Sequence, residues 1–394
     1  MDPVEFDPFS STFFDDPYPV YKRLRDEAPV YHNDVYGFWA LSRFDDVVAA
    51  HRDWETFTST HGIDLVGLKS GDKPPPSMIM MDPPEHHRLR LLVSKVFSPR
   101  AIADLEPMVR EVVDSVLEDV GPSFDGVEDF AGPFPVEIIS RILGVPAPDR
   151  QRIRRWADEF LHRDVGATGY GEGAQHAMLE FATYLFHLVQ EKRAHPTDDM
   201  LSRLCDAEVT REDGTQPLDD IEITGFATLL AGAGAETVTK LVANAIVLFA
   251  RNRGEWQKIL DDRSKIPGAV EEVLRFWPPS NYQGRYSTKD KELHGVTLPA
   301  GQPVLLLTGA ATHDERAFED PDRFDVERPP GLPIGFGHGI HTCLGAALAR
   351  LEGRVAIEEM AARWPRFEID EDGLQRVEMA NVAGFSRVPV SAST

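Results

Sequence analysis

The chain has 394 residues and carries 65 acidic against 41 basic side chains, a net charge of −24. Such a surface repels nucleic-acid phosphates and anionic lipid headgroups, which argues against both as partners. A hydrophobic fraction of 42% suits a sizeable core, and two widely separated cysteines, Cys205 and Cys343, are too few for a disulfide framework, so a reducing cytoplasm is the expected compartment.

Near the start, Asp2, Glu5, Asp7, Asp15 and Asp16 are scattered among aromatics, which fits neither a signal peptide nor a membrane anchor. Residues 16–25 read as a short helix entered from a proline, 36–42 as an aromatic-rich strand, and 44–51 as a helix. The stretch 61–84 holds glycines, Lys73, three consecutive prolines and Met78, Met80 and Met81. It is too punctuated for one regular element, and long irregular loops of this kind are often functional. Helical spacing then predominates over 100–120, 135–143 and 181–193. Asp219 and Asp220 offer capping carboxylates for a long helix to about Arg251. Its apolar run, roughly 223–249, is interrupted by Glu236 and Lys240, so a buried core helix is expected rather than a membrane span. Strands are expected over 292–298 and 303–308, turned at 299–301, and in a last hairpin over 377–390. The fold class is therefore mainly α with small subordinate β sheets. We expect one domain over 1–394, with β-rich portions near 29–60 and 285–310.

The strongest local pattern is Phe336-Gly337-His338-Gly339-Ile340-His341-Thr342-Cys343-Leu344-Gly345, followed by an amphipathic helix over 346–362. A cysteine just before a helix start meets free backbone N–H groups and a favourable dipole, which promote the thiolate. Glycines on either side permit close approach of a flat group to the backbone. From the loop alone, an inert buried thiol and a zinc site begun by His338, His341 and Cys343 stay open, although zinc lacks a fourth ligand at a familiar spacing.

Phe336, Gly339, Cys343 and Gly345 fill every fixed position of Phe-x-x-Gly-x-x-x-Cys-x-Gly, and the chain thereby resembles the cytochrome P450 family. Four further motifs stand in that family's order, and the likeness runs over nearly the whole chain. Glu272-Val273-Leu274-Arg275, an ordinary helix ion pair if taken alone, resembles the family's structural network, with Arg323 of Pro321-Asp322-Arg323-Phe324 as its third member. His86 and Arg90 share a helix face and could be a solvated basic patch; the resemblance assigns them, with Arg285 and with His341 in the place of a more usual arginine, to haem propionates. In Ala233-Gly234-Ala235-Glu236-Thr237 the threonine could simply bond back to the carbonyl four residues earlier; the resemblance makes Glu236 and Thr237 the acid–alcohol pair that guides protons to bound oxygen.

The resemblance implies a P450-like fold, haem b (iron protoporphyrin IX) on Cys343 with Phe336, Gly337 and Gly345 beside it, and a monooxygenase using O2. Electrons would come from a ferredoxin and its reductase, because no flavin or nicotinamide motif is found, with Arg350 and Arg110 as a docking guess. By analogy the substrate pocket is lined by Met80, Leu229, Ala233, Ser280, Tyr282 and Val382. These lack a charged anchor, which favours a hydrophobic small molecule. Terpenoid, steroid, fatty acyl and aromatic compounds all stay open. A monomer is expected. A peroxide-using peroxygenase and a non-catalytic haem-binding sensor are the alternatives.

Overall fold

The computed structural model describes residues 2–70, 77–94, 96–211, 214–379 and 381–393. At its centre lies the helix Asp220–Arg251, roughly 48 Å long at ~1.5 Å per residue. Its start is capped as the sequence predicts. The Asp219 carboxylate accepts from the Glu222 N–H (2.8 Å) and the Glu222 side chain accepts from the Asp219 N–H (3.1 Å), satisfying two otherwise free donors. The helix is long and apolar enough to cross a membrane, but 83% of its most apolar window is buried inside the protein. It is a core helix.

Helices Pro133–Leu143, Arg150–Leu161 and Glu172–Ala194 pack along one side of it, and Ile266–Phe276 and Ala346–Arg363 along the other. Gly353 allows the last of these a close approach: a Cβ there would meet Leu241 at 3.1 Å and Val270 at 3.3 Å. The shared core includes Phe134, Ile138, Phe181, Val242, Ile246, Phe249 and Val355.

The β-rich portions near 29–60 and 285–310 are not separate. Strands Val30–Asn33, Phe38–Leu41, Pro303–Leu306, Gln283–Ser287 and Phe57–Thr58 form one five-stranded sheet in that spatial order, with Pro303–Leu306 parallel to Phe38–Leu41. The fold is thus mainly α with small sheets, as expected.

Several boundaries differ from expectation. The helical stretch 100–120 is two helices, Pro99–Ala103 and Glu106–Leu117, because Pro107 lacks the N–H that a continuous helix would need there. The hairpin before Pro303 turns at His294-Gly295, where both residues have positive φ, rather than at 299–301. The tail divides: Phe385–Arg387 pairs with Gln375–Arg376, while Pro389–Ser393 pairs with Arg366–Ile369 and Ser123–Asp125. Helix Leu65–Ser70 and the 3-10 turn Met78–Met80 lie within the punctuated stretch 61–84. Lys73 and its three prolines lie outside the described residues.

Candidate haem-thiolate site

Two 3-10 turns, Ile334–Phe336 and Gly339–His341, shape the cysteine loop. Gly337 and Gly339 have φ of +68° and +69°, a region that side chains other than glycine adopt at a cost. At Gly339 a Cβ would also stand 2.3 Å from the His51 carbonyl oxygen, so the loop is pressed against the end of helix Phe44–Arg52. The Cys343 N–H donates to the Phe336 carbonyl at 2.8 Å, closing the loop. Arg350 lies 4.5 Å over the Phe336 ring. Gly345 caps the helix Ala346–Arg363.

Cys205 and Cys343 behave differently. Cys205 is buried with its Sγ 3.8 Å from the Val189 carbonyl, whereas the Cys343 side chain keeps accessible surface. The helix start does not by itself make Cys343 a thiolate. Burial pushes its pKa up, and the Gly345 N–H with the charges of Arg90 and Arg350 offsets this only in part. A coordinated metal would supply the missing charge, since a coordinating thiol is deprotonated outright. Zinc does not fit: His338 accepts from Arg52 at 2.7 Å, and no group of three metal-ligating side chains forms among the described residues.

Next to the loop, four nitrogen-bearing side chains predicted from the sequence converge. The His86 and His341 rings stand 4.3 Å apart. Neither ring nitrogen of His86, nor Nε2 of His341, has a hydrogen-bond partner among the described residues. Arg90 donates to the Thr342 carbonyl at 2.5 Å, and Arg285, 5% exposed, donates to the Gly284 carbonyl. Burial, then Arg90 and His87, holds His86 down at about 4. Burial, then Arg285, His86 and Arg90, holds His341 at about 2. Burial lowers Arg285 to about 10. Positive groups and partnerless donors collected in an interior are costly unless an anion meets them. A macrocycle with two carboxylates beside a cysteine ligand fits this donor set. Sequence reasoning did not single out His51, which stands beside this group: it is 3% exposed, and its pKa is lowered to about 3 by burial, Arg285 and His338, against a contact with Gln283 that raises it. A lone histidine at a helix end gave no motif to find it by.

In the central helix the Thr237 hydroxyl donates to the Ala233 carbonyl at 2.7 Å, the back-bonded arrangement that the sequence left open. Ala233 is exposed although it sits midway along a buried helix. Gly234 serves packing instead, since a Cβ there would lie 3.0 Å from Ile139 Cγ1. Glu236 is 2% exposed and forms an ion pair with Lys240 one turn on. Its carboxyl also faces Asp158 of helix Arg150–Leu161. Neither Lys240 nor Asp158 was singled out as its partner, because the first lies outside the motif and the second on a distant segment.

Among the pocket candidates, Ser280 and Val382 pair across a β-bridge, and Leu229 and Ala233 lie one turn apart on the central helix. Met80 is half-buried. Tyr282 is a correction: it is 3% exposed and belongs to the aromatic cluster of Phe6, Phe9, Phe13 and Tyr21, where its ring packs 6.4 Å from that of Phe13.

The structural network is also corrected. Glu272 and Arg275 form a buried bidentate pair, 2.8 Å on both arms, and Arg275 donates to the Thr312 and Pro321 carbonyls at 2.9 Å. The third side chain is Arg328, whose Nε is 3.2 Å from both Glu272 oxygens. Arg323 contributes only its carbonyl; its side chain is 65% exposed and paired with Asp325. Arg350 and Arg110, guessed as docking cations, are neutralised by Glu271 and by Glu106 and Glu358.

The family model "Cytochrome P450" matches residues 167–390. The chain is 42% identical to "Putative cytochrome P450 123" of Mycobacterium tuberculosis, over 98% of this chain and 96% of that one. It is 40% identical to "Erythromycin C-12 hydroxylase" of Saccharopolyspora erythraea, over 94% and 93%. A crystal structure of CYP109E1 from Bacillus megaterium in complex with testosterone superposes with a TM-score of 0.87 at 31% identity, covering 96% of this chain and 98% of that one. With the cysteine loop and the buried nitrogen-bearing side chains beside these likenesses, the chain belongs to the cytochrome P450 family, monooxygenases whose haem b iron is held by a cysteine thiolate.

Proposed function

We propose that the chain hydroxylates a bulky, mostly apolar small molecule, as a cytoplasmic monomer that receives two electrons from a ferredoxin and its reductase. The observation that carries the reading is the cysteine loop with both ring nitrogens of His86 and Nε2 of His341 unpartnered and buried Arg285 beside it. Cys343 would hold the iron, and His86, Arg90, Arg285 and His341 the two carboxylates. Bound haem supplies oxygen activation. The chain's own work is to orient substrate, limit water and deliver protons. Thr237 offers a hydroxyl on the side where Ala233 is bare, and Glu236 holds a proton-carrying group behind it.

For the substrate, Met80, Leu229, Ala233 and Val382 offer apolar contacts, and Ser280 the one hydroxyl of the expected lining once Tyr282 is set aside. Bulk is supported by the likeness to a protein named for erythromycin hydroxylation and to one crystallised with testosterone. The reduced protein with carbon monoxide should show the red-shifted absorbance maximum of thiolate-bound haem, and Cys343→Ala should lose it; a variant that retains the band ends the assignment. A spectral-shift screen of macrolides and steroids against the ferric protein then reads the substrate class. Product formation from NADH with surrogate ferredoxin and reductase separates a monooxygenase from a haem-binding sensor, and turnover on hydrogen peroxide alone would mark a peroxygenase.

A further inference from the structure

Behind Thr237 the protein carries a second carboxyl that the acid–alcohol pair does not require. Asp158 lies on helix Arg150–Leu161, and its carboxyl faces that of Glu236 on the central helix. Its two oxygens have different surroundings. Oδ1 is sealed from solvent and meets no conventional donor among the described residues, and the carboxyl's one side-chain hydrogen-bond neighbour is the Glu236 carboxyl. Oδ2 stands 3.7 Å from Arg154 Nε, and the side chain as a whole is 37% exposed. That exposure opens on a cleft of about 380 Å³ lined by Glu128, Arg154, Asp158, His162, Lys240 and Glu378; Glu236 is not part of the lining. Asp158 and Lys240 therefore stand between the cleft and Glu236.

The other charges around the pair are largely committed. Lys240 is 3% exposed and ion-paired with Glu236, its stem lying where a Cβ on Gly384 would reach within 2.8 Å. Arg154 is held by Glu128 at 2.6 Å, and His162 lies 3.3 Å from Asp164. From the tail, Arg376 stacks on Phe385 and Trp277, while Glu378 is fixed only through its backbone, its carbonyl accepting from the Arg163 N–H, and its carboxylate adds negative charge to the cleft. Two facing carboxyls beside one lysine balance when they share one proton. Burial first, then the facing Glu236 carboxyl, pushes Asp158 up to about 8, so Asp158 still carries a proton at neutral pH.

We propose that Asp158 is a positioning and relay residue that acts through Glu236, carrying protons from the cleft to the interior of the enzyme. In each transfer Glu236, protonated by Asp158, releases a proton inward past Thr237. One Asp158 O–H bond breaks as one Glu236 O–H bond forms, and solvent in the cleft reprotonates Asp158. The chain's charge is unchanged over the cycle and no electrons move. The inference rests on the monooxygenase reading, since reduction of O2 to water and a hydroxylated product consumes two protons.

The test is Asp158→Asn in the haem-loaded protein, with Asp158→Glu as the conservative variant. The carbon monoxide band and the substrate spectral shift should match wild type. Coupled product formation at pH 7.5 should fall about tenfold, a modest share of what proton transfer contributes. The solvent deuterium effect on turnover should rise and the alkaline limb near pH 8 should vanish, with both restored in Asp158→Glu. Independently of turnover, infrared difference spectra of the wild type across pH 6–9 should contain a protonated carboxyl band that titrates, absent from Asp158→Asn. A wild type without that band overturns the relay whether or not the variant folds, and so does an Asp158→Asn enzyme with wild-type rate and pH profile. A wild type with neither the thiolate band nor product would instead overturn the monooxygenase reading.

Discussion

Among the described residues the protein buries two carboxylate–cation pairs at helical spacing, and they have opposite characters. Glu272 and Arg275 are bidentate, and the spare capacity of both is used. Glu272 also accepts from Arg328 and from the Asp325 N–H (3.0 Å), while Arg275 donates to backbone carbonyls. Among the described residues the Glu236 carboxylate meets the Lys240 ammonium through Oε1 and faces the Asp158 carboxyl, and no backbone N–H donates to it. A network whose donors and acceptors are all met is locked in one protonation state and rigidifies what it joins. A network left short is where a proton can come and go. The same residue types at nearly the same spacing thus build a strut in one place and a titrating group in the other.

The contrast breaks most visibly at Glu272. Glu272→Ala strands the guanidinia of Arg275 and Arg328, and should cost ~3–5 kcal/mol of stability, read as a fall in thermal midpoint and in the yield of haem-loaded protein. A loss under 1 kcal/mol would mean the network is not the strut described. Next in size is Arg328→Ala, expected to cost about 1.5–3 kcal/mol as charge-assisted hydrogen bonds are lost. Arg323→Ala should stay within about 0.5 kcal/mol of wild type, because its side chain is in solvent. Denaturant unfolding of the two arginine variants side by side decides which one completes the network.

That pair of arginines also marks how far the sequence reaches. The motif around Arg323 places the segment beside Glu272 correctly, but which of two nearby arginines turns inward depends on backbone geometry around Asp320, whose φ is +44°. The cysteine loop and the set of His86, Arg90, Arg285 and His341 are readable because glycines and donors occur at fixed spacing. The central helix is readable from its cap and its apolar length. Helix Arg150–Leu161 is harder: only Ile153, Trp156 and Ala157 are buried, and arginines and acids surround them. Asp158 went unnoticed with it. Tyr282 was misplaced for a related reason. Next to an apparent lining residue, Ser280, nothing local reveals that its ring joins an aromatic cluster built by the first twenty-four residues. Pairing of the 30–58 strands with 283–306 is likewise set by packing, with no sequence signal of its own.

The last prediction probes the second network through its titration. The Asp158 carboxyl has a folded pKa of about 8 against about 3.9 in an unfolded chain. Below pH 4 both states hold the proton and the group adds nothing to the balance. Between pH 4 and 8 the native protein keeps a proton that the unfolded chain has released, so its contribution to stability declines as pH rises, and the decline is complete above 8. Groups that do not touch Asp158 titrate alike in wild type and Asp158→Asn and cancel in the difference. Asparagine has no proton to lose. Relative to wild type, the variant should therefore gain stability from pH 5 to pH 8, measured as the change in the separation of the two denaturation midpoints. The gain should be modest, because the side chain is partly exposed and solvent screens it. A separation that stays constant across that range would mean that Asp158 is ionised throughout, and that the second network is as fixed in its charge as the first.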